Sequence, residues 1–226
     1  MRSEIRQEIV DRVIARRGKL HLFDSLDPKK TALLVIDMQN AFVAPGAPVE
    51  VPAAREIVPA INRLVAGLRK RGVPVIWVQH ENRPGGSDWD GFFGRFVAPE
   101  SRAKAAAALT AGSPMQTLWR ELDVARGDLR VAKNRYSALI GKSSNLQETL
   151  REKGIDTVLI AGTKTNVCCE CTARDAMMLD YKVVMLSDCT ATLSDEEQRA
   201  TLENMIQQFG DVLTADEALS LFDKRN

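Results

Sequence analysis

Histidine is scarce in this chain: His21 and His80 are the only two in 226 residues, beside four cysteines, two tyrosines and three tryptophans. A structural zinc site draws four ligands from Cys and His, usually as two spaced pairs. Three of the four cysteines fall at 168, 169 and 171, which leaves only Cys189 elsewhere. Adjacent cysteines on a helix point about 100° apart, so Cys168 and Cys169 are badly placed to share one ion. A metal cage is therefore the weakest reading of the cluster. An excess of one charge is also missing. The 31 basic and 30 acidic side chains leave a formal net charge of +1, which argues against a nucleic-acid surface or a polybasic membrane anchor. No apolar run approaches the roughly 20 residues that span a bilayer. The opening "MRSEIRQEIVDRVIARRGK" is charged throughout, without the apolar run of a signal peptide. It reads as an amphipathic helix with Ile5, Ile9, Val13 and Ile14 on one side. A cytoplasmic location with reduced thiols is the expectation. Repeats and low-complexity segments are absent.

What is present is a regular alternation. The runs "ALLVID" (32–37), "VPVIWVQH" (73–80), "LRVAKN" (129–134), "DTVLIAG" (156–162) and "YKVVMLSD" (181–188) read as strands, with a short last one near "DVL". Between them lie helical patterns over 53–71, 145–154, about 166–179 and from Ser194, a predicted N-cap, onward. Continuously apolar strands alternating with amphipathic helices predict an α/β fold: a three-layer α/β/α, Rossmann-like, doubly wound parallel sheet. The stretch 81–113 lacks clear periodicity. It interleaves Pro84, Gly85, Gly86, Gly91 and Gly94 with Trp89, Phe92, Phe93 and Phe96, a composition that suits a lid or pocket wall, or an insertion packed on the body or a neighbouring subunit.

The segment "TKTNVCCECTARD" (163–175) carries the chemistry. Cys168 and Cys171 have the Cys-x-x-Cys spacing of a redox pair, about 60° apart on a helix. Cys168 also lies where a helix starts after a strand, and N–H groups there favour a thiolate and can receive an oxyanion. Position alone favours a small buried hydrophobe. Two charges at other strand ends shift the balance, Asp37 after "ALLVI" and Lys133 at the end of "LRVAK". Ligands bind outside the carboxyl ends of the strands where strand order reverses. With order 3-2-1-4-5-6, Asp37 and Cys168 share one crevice, and Lys133 reaches it only by its long stem. The carboxylate then suits a proton acceptor for the thiol, and the ammonium holds it ionised.

"LLVIDMQNAF" (33–42), "KNRYSA" (133–138) and "GTKTNVCCECTARDAMMLDY" (162–181) together resemble the three signature segments of the isochorismatase-like cysteine hydrolases, from about Asp27 to the C-terminus. "GKLHLFDSLDPKKTALLVIDMQN" and "KNRYSAL" look closest to the ureidoacrylate amidohydrolase branch. The resemblance implies a six-stranded sheet and a catalytic triad of Asp37, Lys133 and Cys168. It also implies a cis peptide at Thr163–Lys164 and an oxyanion hole from the backbone N–H groups of Lys164 and Cys168. No cofactor and no metal are implied; the nicotinamidase branch holds a metal through an Asp and two His, and only His80 is offered here. The branch that cleaves the isochorismate vinyl ether works without the cysteine. Cys169 and Lys164 depart from the family pattern, which leaves the pocket floor open.

Gln39, Asn40, His80, Trp89, Phe92, Tyr136 and Ser137 are the candidate substrate contacts. Residues 1–26 are expected to form a helical extension and 27–226 the hydrolase domain. The expected activity is cysteine-dependent hydrolysis of a C–N bond in a small ureido, carbamoyl or amide compound. The alternatives are vinyl-ether hydrolysis and a catalytically silent, thiol-based binding or redox-sensing relative. The expected partners are a small-molecule substrate and, by analogy with relatives, further copies of the chain in a dimer or tetramer, with no nucleic acid and no membrane.

Overall fold

The computed structural model describes residues 4–83 and 88–224. Six parallel strands form one sheet: β1 (Thr31–Ile36), β2 (Val75–His80), β3 (Leu129–Lys133), β4 (Thr157–Thr163), β5 (Lys182–Ala191) and β6 (Asp211–Leu213). Their order is β3-β2-β1-β4-β5-β6. The central strand β1 explains why the pattern was readable. All six of its residues are buried, because both faces of a parallel sheet are covered. Its side chains alternate between two cores, Leu33 and Val35 on one side, Leu34 and Ile36 on the other. The edge strand β3 gives a weaker signal for a physical reason: Arg130 and Ala132 face solvent while Val131 and Lys133 point inward.

On the first face pack α3 (Val58–Lys70) and α9 (Ala215–Leu221), with the one-turn helix α2 (Asn40–Val43) beyond β1. On the second face lie α1 (Gln7–Arg17), α6 (Leu146–Glu152), α7 (Glu170–Met178) and α8 (Asp195–Asn204). Ser194 caps α8, its hydroxyl accepting the Glu197 N–H. The N-terminal helix is bound to the body. Ile9 and Val13 are buried in the second core, Arg6 grips Glu203 with Nη2 at 2.6 Å, and Arg17 donates to the Ile206 carbonyl at 3.1 Å. No helix of the described residues is long and apolar enough to cross a membrane.

The stretch 81–113 is not a plain loop. It contains α4 (Asp90–Phe96) and α5 (Pro99–Ala108). Periodicity fails to reveal them because α4 is short and closely set with aromatics, and α5 is mostly alanine, a strong helix former with little amphipathic contrast. The glycine-rich tip, with Pro84, Gly85 and Gly86, lies outside the described residues.

Candidate active site

The site forms where strand order reverses, between β1 and β4. Gly162 pairs with Ile36 across these strands and adopts φ +109°. A Cβ on Gly162 would stand 2.0 Å from the Ile36 carbonyl oxygen, so only glycine allows the two backbones this approach. Asp37 follows β1 directly, with φ +53° and its N–H donating to the Val78 carbonyl at 2.8 Å. After Gly162 the Thr163–Lys164 peptide is cis. Thr165–Cys169 then form a π-helical turn that leads into α7.

Asp37, Lys133 and Cys168 meet at this point. Lys133 stretches past β2 and donates from Nζ to Asp37 Oδ2 at 2.9 Å, and to the Arg135 carbonyl at 3.0 Å. Both charged side chains are wholly buried. Asp37 Oδ1 has no hydrogen-bond partner among the described residues, and the Cys168 thiol lies close enough to Asp37 and Lys133 to feel both charges. Burial works to lower the Lys133 pKa, but Asp37, followed by Cys168, outweighs it and the net direction is upward, so the ammonium stays charged. The thiol does not follow the expectation of a thiolate at a helix start. Burial, and after it the Asp37 charge, push the Cys168 pKa well above its ordinary value, and Lys133 offsets this only partly. Cys168 is only 5% exposed and sits in a π turn beside a carboxylate, where the helix-start effect is outweighed. The resting pair is thus neutral thiol and carboxylate.

Cys168 opens onto a cavity of about 470 Å³, walled by Phe42, Val49, Trp89, Phe92, Phe93 and Leu109 among others. Of the expected contacts, His80, Trp89, Phe92 and Tyr136 line it, as do Lys164 and Val167. Tyr136 packs edge-on to Trp89 at 4.7 Å and to Phe92 at 5.5 Å. His80, the β2 residue in register with Lys133, has its pKa lowered to about 4, chiefly by burial and then by Lys133. It is neutral at ordinary pH, with Nε2 lying 3.3 Å from Asn82 Oδ1.

Three expected contacts lie elsewhere. Gln39 is fully buried and spends its amide on the backbone: Oε1 accepts the His80 N–H at 2.7 Å, and Nε2 donates to the His80 and Gln116 carbonyls at 2.9 and 2.8 Å. It fastens the end of β2, with both amide protons spent and the side chain buried away from the cavity. Asn40 binds the Pro114 carbonyl and the Thr117 hydroxyl, each at 3.0 Å, and lines a different, shallow hollow. Ser137 lines a neighbouring cavity of about 550 Å³, and its hydroxyl accepts the Leu139 N–H at 3.1 Å. All three closely follow Asp37 or Lys133 in sequence, and that closeness does not say which way a loop side chain turns.

Sequence reasoning missed Thr172. Its buried hydroxyl donates to the Cys168 carbonyl at 2.8 Å and accepts the Ala138 N–H at 3.2 Å, joining the cysteine turn to the loop after Lys133. Its place four residues after Cys168, one helical turn on, was the available signal. The other thiols are spectators here. Cys169 is fully buried, its Sγ 3.8 Å from the Ala161 carbonyl, and Cys171 lines the neighbouring cavity. Among the described residues no three Cys, His, Asp or Glu side chains are grouped to hold a metal ion.

Comparison with known proteins agrees with this architecture. The chain is 34% identical over 206 residues, 84% of its length and 89% of the relative's, to the ureidoacrylate amidohydrolase RutB of Caulobacter vibrioides. It is 35% identical over 183 residues, 78% of its length and 88% of the relative's, to a probable inactive nicotinamidase of Arabidopsis thaliana. A cysteine hydrolase from Pseudomonas syringae superposes with a TM-score of 0.78 at 30% identity, covering 88% of this chain and 95% of that one. The isochorismatase domain model matches residues 31–217, and the chain belongs to that family of hydrolases.

Proposed function

We propose that this protein is a cysteine-dependent amidohydrolase acting on a C–N bond of a small ureido, carbamoyl or amide compound. The observation that carries the reading is the meeting of a buried Asp37–Lys133 ion pair with the Cys168 thiol at the edge of an apolar cavity. Relatives named as ureidoacrylate amidohydrolases support the substrate class.

The proposed reaction runs in two halves. Asp37 takes the thiol proton as Cys168 Sγ attacks the carbonyl carbon, so no free thiolate accumulates. The oxygen of that carbonyl becomes an oxyanion, received by the N–H groups of Lys164 and Cys168. The C–N bond breaks, and the proton held by Asp37 leaves with the amine or ammonia. An S-acyl or S-carbamoyl enzyme remains. Asp37 then takes a proton from water, the hydroxide adds to the same carbon, and the C–S bond breaks to restore the thiol. Lys133 keeps Asp37 ionised between steps. The aromatic walls exclude bulk water, which strengthens each of these charge interactions.

Vinyl-ether hydrolysis has less support, because it leaves Cys168 without a task. Thiol sensing has less as well, because Cys168, Cys169 and Cys189 are buried. The test is ammonia release from a panel of ureidoacrylate, biuret, N-carbamoyl amino acids, nicotinamide and simple amides. Turnover that Cys168→Ala abolishes supports the reading. Turnover that survives the substitution at the wild-type rate overturns it.

A further inference from the structure

Lys164, which departs from the family pattern, occupies a wall of the Cys168 cavity and is half-buried. The charges around it are otherwise settled. Lys133 is paired with Asp37 at 2.9 Å, and His80 is neutral because its pKa lies near 4. Glu50, the one acidic residue of the wall, pairs with Arg55 at 2.8 Å and accepts the Gly46 N–H at 2.8 Å. The Lys164 ammonium has no ion pair or hydrogen bond with any described residue. No arginine is among the described residues of this wall, and most of the remaining surface is aromatic or aliphatic.

A cation with no counter-charge among the described residues, in a mostly apolar wall, is matched by a ligand anion. We propose that Lys164 selects the substrate, which is a ureido or amide compound with an apolar, preferably planar body and a single carboxylate. The backbone N–H of Lys164 would serve the oxyanion while its side chain serves this carboxylate, so one residue ties recognition to the reacting carbon. The body of the substrate lies against Trp89, Phe92 and Tyr136. A second carboxylate has no partner in the wall and meets Glu50 instead, so dicarboxylates are disfavoured. This inference rests on the amidohydrolase reading for its scissile group, and on Lys164 alone for the anion.

The test compares N-carbamoyl-phenylalanine with 2-phenylethylurea, the same body with and without the carboxylate. Wild type is expected to favour the acid in kcat/KM by at least tenfold. Lys164→Met, which keeps the length of the side chain and the peptide N–H, is expected to erase most of that ratio, chiefly through KM. Lys164→Arg is expected to restore it. A wild-type preference for the neutral urea, or a ratio that Lys164→Met leaves unchanged, overturns the inference while the amidohydrolase reading stands. Binding of 3-phenylpropionate, followed by calorimetry, separates the two. If neither urea releases ammonia, the amidohydrolase reading is decided by the wider panel above. The inference then stands or falls on whether Lys164→Met weakens that binding at least tenfold and Lys164→Arg retains it.

Discussion

Lys133 Nζ and Asp37 Oδ2 lie 2.9 Å apart although β2 separates their strands, and neither side chain is exposed to solvent. The pair is thus at once a device for keeping Asp37 charged and a structural commitment. A buried charge that loses its partner costs about 3–5 kcal/mol, whereas replacing both members is often far milder.

Lys133→Met and Asp37→Asn are therefore each expected to lower stability by about 3 kcal/mol or more. The double variant should cost clearly less than the sum of the two. Urea denaturation of the four proteins measures this, and strictly additive losses would count against a coupled buried pair. On activity, Asp37→Asn removes the proton acceptor, a role worth about 10²–10⁴ in rate. Single-turnover acylation should fall by that factor.

The pH dependence has two limbs with opposite signs. Cys168, Cys169 and Cys189 all have pKa values raised above 9.0 by burial first. A raised folded pKa contributes stability that is full below the unfolded value and fades above it. Melting temperature is thus expected to fall as pH rises beyond about 9. His80 behaves in the opposite way, its pKa lowered from 6.5 to about 4. Its contribution is full above 6.5 and fades as pH drops towards 4. A His80→Gln variant should flatten the acid limb and leave the alkaline limb in place.

Gly162→Ala is expected to abolish the site and most of the fold. The new methyl would meet the Ile36 carbonyl oxygen at 2.0 Å, in a backbone conformation with φ +109°. A loss of about 4 kcal/mol or more, the range of severe single substitutions, is expected. Soluble yield and thermal melting report it, and a wild-type melting curve would contradict the close approach of β1 and β4.

Gln39→Ala strands the His80 N–H and takes a donor from the His80 carbonyl, while the Gln116 carbonyl keeps the Gln79 amide at 2.9 Å. Each buried group left unpaired costs about 1–3 kcal/mol. A loss of at least about 2 kcal/mol follows, because part of the damage can relax. Since Gln39 does not line the cavity, kcat is expected to drop more than KM rises. Trp89→Ala should do the reverse, raising KM several-fold as the cavity wall opens.

The sequence by itself determined the sheet and its order, and it pointed to Asp37, Lys133 and Cys168 as residues that would share one crevice. Buried parallel strands are apolar on both faces, so β1, β2, β4 and β5 stand out as runs of residues. A chemical residue at a strand's carboxyl end is placed by topology alone, which is why Asp37 and Cys168 were legible. Tertiary structure decided everything that depends on side-chain direction and solvent. It turned Gln39, Asn40 and Ser137 away from the cavity, since loop rotamers follow whichever backbone groups need partners. It showed α4 and α5, because an alanine-rich helix and a short aromatic one carry no amphipathic period. It also reversed the expected direction of the Cys168 pKa, because the desolvation of a thiol is set by the packed shell around it, and no local stretch of sequence contains that shell. The crowded thiols of "NVCCECTARD" were separated in the same way, into one that lies near Asp37, one sealed in the core and one that opens onto a different cavity.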